Sequence, residues 1–413
     1  MLEVVALKIP ALIVDTVSIQ KYIFSSNKLK ENIGASYIVE SAFEAPLKNS
    51  LKKTFGKIDF DLEPWRKDPD TLLLEKGTPF EILYSGGGNL VIAFREKEKV
   101  NEFVRAFSSE LLVEAPGLRT SYGFNFDFDT DKFDESMKFL HEDLRRNKNR
   151  FHPIISLRKY GITADCPRSD ESAELFINDD HYISSVAQKK IDSVFEAGNK
   201  LVSMVKDVLE NRFTFTDEID FLGQIENESN HIAVVHIDGN GMGKRFAATN
   251  SLPGLRRLSS SVNKATQDSF VDMTKYLVEL IDQQRLNEDN GFKFRKESGK
   301  IVLPMRPIII GGDDITFVCH GKLGLILASK FISSLEKKEV SDKKKLTACA
   351  GVCIAKSKYP FCRSYLLSEE LTSIAKEKSK RNGNSSFLDF HVASTGFSGS
   401  LEEIRDKQLS ATE

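Results

Sequence analysis

Along the 413-residue chain, short apolar and β-branched runs alternate with longer stretches whose apolar residues recur at helical spacing. The β-branched run ALIVDTVS (11–18) predicts a strand. A long region of helical spacing follows, from about Gly34 to Phe55 (GASYIVESAFEAPLKNSLKKTF). After a polar loop, FEILYSGGGNLVIAF (80–94) predicts a hairpin, two apolar arms around a glycine-rich bend. A helix from roughly Glu96 to Ala115 and a strand at RTSYGFNFDF complete the block.

The same order returns toward the C-terminus. HIAVVHIDG (231–239) predicts a strand, 255–285 a helix, and VLPMRPIIIGGDDITFVCHG a second hairpin. A helix at 322–338 and a strand at LTACAGVCIAK (346–356) follow, then a helix at about 364–381 and a strand at SSFLDFHV. Each block reads β-α-β-β-α-β, the ferredoxin-like arrangement. The copies align with Asp15 on Asp238, Lys21 on Lys244 and Gly86-Gly87 on Gly311-Gly312, at spacings that agree to within two positions. That agreement predicts an internal duplication. Between the copies, DKFDESMKFLHEDLRRNKNRF and YISSVAQKKIDSVFEAGNKLVSMVKDVLENRF are amphipathic helical patterns joined by the loop CPRSDESAELFINDD. The expected organisation is an α+β protein: a first domain at 1–128, a helical linker subdomain at 129–229, a second domain at 230–395 and a tail at 396–413. The linker reads either as a spacer that fixes the copies or as a helical subdomain without chemistry.

Composition narrows the class. With 40% hydrophobic and 29% charged residues and a net charge of −2, the chain reads as a soluble protein without a global basic field for nucleic acid. The apolar start MLEVVALKIPALIVD carries Glu3 and Lys8 and lacks the basic n-region of a signal peptide, and no run reaches the ~20 apolar residues of a membrane span. Cys166, Cys319, Cys349, Cys353 and Cys362 form no C-x-x-C pair, so reduced thiols in a cytoplasmic protein are expected.

The chemistry concentrates in the second copy. Asp313 and Asp314 stand at a Gly-Gly bend between two apolar arms, and Asp238 ends the neighbouring strand. Three converging carboxylates repel one another unless a cation offsets them, and hard divalent ions take such oxygen ligands. A two-metal site for Mg²⁺ or Mn²⁺ is therefore expected at Asp238, Asp313 and Asp314, with these as catalytic residues. Gly239, Gly241 and Gly243, with Asn240 and Met242 between them, offer a glycine turn whose N–H groups can face phosphate, as can Gly311 and Gly312. Lys244 either adds charge there or stays solvated. Lys376 and Lys380 share one helical face and either reach nucleotide phosphates or complement the helix dipole. The first copy has Gly88 and Asn89 where the second has its two aspartates. It is expected to be non-catalytic, binding nucleotide through Ser85, Gly86, Gly87, Gly88 and Asn89.

These residues resemble a known family. The GGDD hairpin, the DGNGMGK turn and the SGGGN hairpin, with SIQKYIFSSNKLKENIGAS (18–36), GVCIAKSKYPF and IAKEKSKRNGN, are similar to the two palm domains of the large subunit of type III CRISPR effector complexes. That subunit makes cyclic oligoadenylates from ATP. The likeness covers about 1–125 and 230–395 and extends distantly to GGDEF diguanylate cyclases. It implies two palms facing each other with one ATP each, chemistry at the three aspartates and a triphosphate held by Lys376. The sequence departs from the family's pattern in three ways. It has no adjacent His-Asp pair of the nuclease domain, the linker carries only Cys166 in place of a zinc cluster, and little chain follows residue 395.

Three functions compete. The first is an ATP-consuming cyclic oligoadenylate synthase in antiviral defence, acting alone or as a catalytic or scaffold subunit of an RNA-guided complex, with RNA or effector subunits as activator. The second is a nucleotide or RNA sensor without turnover. The third is a dinucleotide cyclase with another base preference. Hydrolases with a Ser-His-Asp or Cys-His arrangement fit worst, since no G-x-S-x-G context occurs. The internal duplication allows a monomeric pseudo-dimer as well as a homodimer.

Overall fold

The computed structural model describes residues 8–56, 68–71, 73–74, 77–150, 164–169, 171–177, 181–225, 230–249, 251–393, 401, 403 and 405. The tail expected at 396–413 therefore lies almost wholly outside the described residues. The chain divides into two compact units. One is Met1–Ser26, Glu31–Phe195 and Gly243–Ser261; the other is Asn27–Lys30, Glu196–Met242 and Val262–Glu413. Among the described residues no helix is long and apolar enough to cross a membrane.

The first unit is built on β1 (Lys8–Val17), α1 (Ile19–Ile23), α2 (Leu29–Ser41), α3 (Ala45–Phe55), β2 (Phe80–Gly86), β3 (Asn89–Phe94), α4 (Lys97–Glu114), β4 (Arg119–Asp129) and α5 (Phe133–Lys148). The helical region expected at 34–55 is two helices, with a break after Ser41 and Pro46 in the first turn of α3, where a missing N–H costs nothing. The four strands pair antiparallel in the order β2-β3-β1-β4, a ferredoxin-like sheet. Alternation along β1 explains why both faces are covered. Leu12 and Val14 enter a core with Leu47, Leu51, Phe103 and Phe107 of α3 and α4. Ile9, Ala11 and Ile13 face the other way, into a core with Leu140 and Leu144 of α5. The periodicity of 131–151 had placed that helix in the connecting stretch; in the structure it covers the first sheet.

Arg256 is buried in the same unit, its Nη2 2.6 Å from Glu81 Oε1 and its Nη1 2.9 Å from Thr71 O. The side chains of Arg256 and Glu81 are only 3% and 4% exposed, so each charge depends on the other.

The connecting stretch also departs from two long helices. It forms the short pair β5 (Leu175–Ile177) and β6 (His181–Ile183), then α6 (Ser185–Asp192), α7 (Val194–Met204), α8 (Lys206–Leu209) and β7 (Phe213–Thr214). Ser184 starts α6 as an N-cap, its hydroxyl accepting from the Ala187 N–H.

The remaining elements are β8 (His231–Gly239), α9 (Met242–Ala247), α10 (Leu252–Asp282), β9 (Lys296–Glu297), β10 (Lys300–Val302), β11 (Met305–Gly311), β12 (Asp314–His320), α11 (Gly324–Leu335), β13 (Ala348–Lys356), α12 (Phe361–Arg381) and β14 (Phe387–Ala393). The sheet of the second unit runs β11-β12-β8-β13-β14, the order of the first sheet plus β14, which lies parallel to β13. Hairpin register matches between the units. Each first arm carries one irregularity, between Ile82 and Tyr84 and between Pro307 and Ile309, at the same distance from its glycine pair. The duplication thus extends to a bulge.

Candidate active site

The register of the second sheet brings the acids together. Asp238 near the end of β8 pairs directly with Asp314 at the start of β12, and Gly311 pairs with Asp314 to close a two-residue turn of Gly312 and Asp313. Gly312 sits at φ +60°, where glycine carries no Cβ penalty. One ligand oxygen from each of Asp238, Asp313 and Asp314 lies within 4.8 Å of the others. Like charges so close disfavour ionisation. Burial, and secondly the Asp238 carboxylate, push Asp313 up to about 6. Burial and then the charges of Asp238 and Asp313 raise Asp314 well above the usual range. Lys376 on α12 opposes both shifts and is ion-paired with Asp238. Three hard oxygen donors, of which Asp313 and Asp314 resist ionising without a counter-charge, fit a divalent cation.

Close packing makes this geometry possible. On β13, a Cβ at Gly351 would lie 2.0 Å from Ser368 O and 2.5 Å from Thr372 N, so only glycine lets α12 lie against the sheet and deliver Lys376. At Gly239 a Cβ would stand 2.8 Å from both Cβ and Oδ2 of Asp313, so the bare backbone there makes room for the acid. The rest of the glycine turn is divided. Gly241 and Gly243 are exposed, whereas Met242 is buried. Asn240 is tied inside the fold: its N–H donates to Thr347 O at 2.8 Å and its amide to Thr347 Oγ1 and Ser385 O. Lys380 is exposed one turn beyond Lys376, and Lys244 is exposed as well.

The first unit repeats this layout with altered chemistry. Asp15 pairs with Asn89 as Asp238 pairs with Asp314, and Gly86 with Asn89 as Gly311 with Asp314. Asp15 is ion-paired with Lys148, at the end of α5. Gly123 on β4 admits that helix as Gly351 admits α12, since a Cβ there would stand 2.7 Å from Leu140 O and Leu144 N. Lys148 is thus the counterpart of Lys376. Sequence reading missed it, although the interval from Gly123 to Lys148 equals that from Gly351 to Lys376.

The turns also differ. Gly87 and Gly88 both have positive φ, whereas in the second turn only Gly312 does. Thr16 stands where the second unit has Gly239, and Gly88 where it has Asp313: small and large have changed places. Thr16 Oγ1 donates to Gly88 O at 2.9 Å. The buried Ser85 hydroxyl has no hydrogen-bond partner among the described residues.

Residues 231–385 match the family described as Cas10/Cmr2, second palm domain. The chain is similar to Cas10. A crystal structure of a Csm1–Csm4 cassette in complex with cA4 superposes with a TM-score of 0.55 at 13% identity, over 96% of this chain and 55% of that one. The cassette in complex with one ATP gives 0.54 at 14% identity, over 96% and 56%. The Csm1–Csm4 subcomplex of the type III-A CRISPR-Csm interference complex gives 0.50 at 14%, over the same shares. This chain therefore spans little more than half the length of those chains, and at such identities the likeness is one of fold. No curated protein matches it. The Cas10 match and the cassettes bear out the resemblance read from the GGDD and SGGGN hairpins, and the two sheets bear out the ferredoxin-like palm fold.

Proposed function

We propose that the chain is a metal-dependent nucleotidyltransferase that converts ATP to cyclic oligoadenylates with release of pyrophosphate, in antiviral defence. The convergence of Asp238, Asp313 and Asp314 within 4.8 Å, beside Lys376, carries this reading. These acids would hold Mg²⁺ or Mn²⁺, which when bound offsets their repulsion and lowers the pKa of an attacking hydroxyl. The 3′-oxygen of one ATP forms a bond to the α-phosphorus of another, the bond to the β-phosphate oxygen breaks, pyrophosphate leaves and the hydroxyl proton passes to solvent. A final intramolecular attack of the same kind closes the ring. Lys376 offers its ammonium to the triphosphate, and exposed Lys380 adds charge one turn on. Gly239, Gly241, Gly243, Gly311 and Gly312 let phosphate approach the backbone. Asn240 and Met242 serve the fold, given the bonds of one and the burial of the other. The first-unit hairpin, Ser85 to Asn89, lacks the second carboxylate pair and serves as a non-catalytic nucleotide contact.

The test is incubation with each NTP and Mg²⁺ or Mn²⁺, with and without target RNA and effector subunits, and product analysis by mass spectrometry. Cyclic adenylates from wild type, absent from Asp313→Ala/Asp314→Ala, are expected. Products of another base would favour the dinucleotide cyclase, and ATP binding without any product a sensor. The solved neighbours contain a second subunit, Csm4, which is why effector subunits belong in the assay.

A further inference from the structure

The turn that carries the two acids is held from outside its own sheet. Asn263 and Thr266 lie three apart on α10, hence on one face of that helix. Asn263 Oδ1 accepts from the Gly312 N–H at 3.3 Å, and Thr266 Oγ1 donates to Gly312 O at 2.8 Å. The two bonds engage the peptide groups on either side of one residue, so together they fix the φ and ψ of Gly312. Those angles aim the next two side chains, Asp313 and Asp314. Thr266 is only 1% exposed, so its bond is made away from competing water.

A need for such a hold follows from the charges. Glycine is the residue with most backbone freedom, and repulsion among three carboxylates favours any movement that spreads them. The first hairpin has no such repulsion and, among the described residues, no helix side chain bonded to Gly87 or Gly88. There the Gly88 carbonyl is held by Thr16 of its own sheet. The hold thus occurs where like charges meet.

We infer that Asn263 and Thr266 are positioning residues for the acid triad, fixing the Gly312 turn so that Asp313 and Asp314 meet Asp238 at a spacing one cation can bridge. This rests on the metal-binding reading above. A neutral hydrogen bond is worth about 1 kcal/mol net, equivalent to about fivefold in an equilibrium constant.

The experiment measures Mn²⁺ affinity by electron paramagnetic resonance titration, together with amide hydrogen exchange of the 311–314 segment in metal-free protein. Wild type is compared with Asn263→Ala, Thr266→Val and Thr266→Ser, folding being checked by circular dichroism. Expected are Mn²⁺ affinities lowered about fivefold in Asn263→Ala and Thr266→Val, faster exchange at the turn in both, and near wild-type values in Thr266→Ser, which keeps the hydroxyl. Asn263 is only partly buried, so its variant remains informative if Thr266→Val fails to fold. Wild-type Mn²⁺ binding with unchanged affinity in folded variants overturns the positioning role and leaves the proposed function standing. Absence of Mn²⁺ binding by wild type overturns both.

Discussion

Replacing Asp313 with asparagine should make the metal-free protein more stable while removing its chemistry. The side chain keeps its shape and loses a charge that its surroundings resist. Burial and the Asp238 carboxylate push the Asp313 carboxyl from an ordinary 3.8 to about 6. At about 1.4 kcal/mol per pH unit, holding it ionised at neutral pH costs on the order of 3 kcal/mol. Relaxation of the turn recovers part of this, so a gain of roughly 1–3 kcal/mol is expected for Asp313→Asn. In a unit of this size that raises Tm by about 2–10 °C. The pH dependence has a fixed sign. Between 3.8 and about 6 the native state binds more protons than the unfolded chain, so wild-type stability falls as pH rises through that window. The advantage of the variant is largest above pH 7, roughly halved at pH 5 and gone below the unfolded value. Thermal melts in EDTA at pH 7.5 and pH 5 measure it. Added Mn²⁺ should reverse the order, stabilising wild type by mass action and leaving the variant nearly unchanged. A variant that melts below wild type in EDTA at pH 7.5, or a difference that does not shrink toward pH 5, would refute the account of the triad as a repulsive cluster awaiting a cation.

Two other perturbations probe the packing around the site and the first sheet. Gly239→Ala sets a methyl 2.8 Å from Asp313, so the acid must turn away; an Mn²⁺ affinity at least about tenfold weaker is expected by titration, and an unchanged affinity would count against the close fit. Arg256→Met strands the Glu81 carboxylate in the first unit and should cost about 3–5 kcal/mol in chemical denaturation, with Glu81→Gln in the same chain recovering part of it.

What could be read in the sequence was what depends on neighbours along the chain. The strands at 11–18 and 231–239, both hairpins and the GGDD bend follow from short β-branched and apolar runs and from glycine placement, and register then forces Asp238 beside Asp314. What lay hidden depends on one element packing over another. The pattern of 131–151 says that a helix forms, and nothing in it says which sheet α5 covers; Gly123 decides that, and with it the pairing of Lys148 with Asp15. Asn240, in the midst of a phosphate-type glycine turn, is bonded to Thr347 and Ser385, more than a hundred positions away. The hold of α10 on Gly312 likewise joins residues nearly fifty apart.

The size exchange between the two hairpins bears on how freely their roles could be traded. An aspartate placed at Gly88 alone would meet Ile19 at 2.6 Å and Thr16 at 3.4 Å, on a backbone at φ +80° that side chains other than glycine's adopt at a cost. Removing Thr16 alone forfeits the hydroxyl that ties down the Gly88 carbonyl and leaves nothing in its place. In the other direction, Gly239 cannot enlarge while Asp313 remains. Removing Thr16 together with the Gly88 change would relieve only the farther contact and leave Ile19 and the positive φ in place, so an acid-free hairpin gains an acid only through several coordinated changes. The asymmetry of the duplicated halves is in this sense epistatically locked: a change at Thr16, Gly88 or Gly239 is resisted by its neighbour.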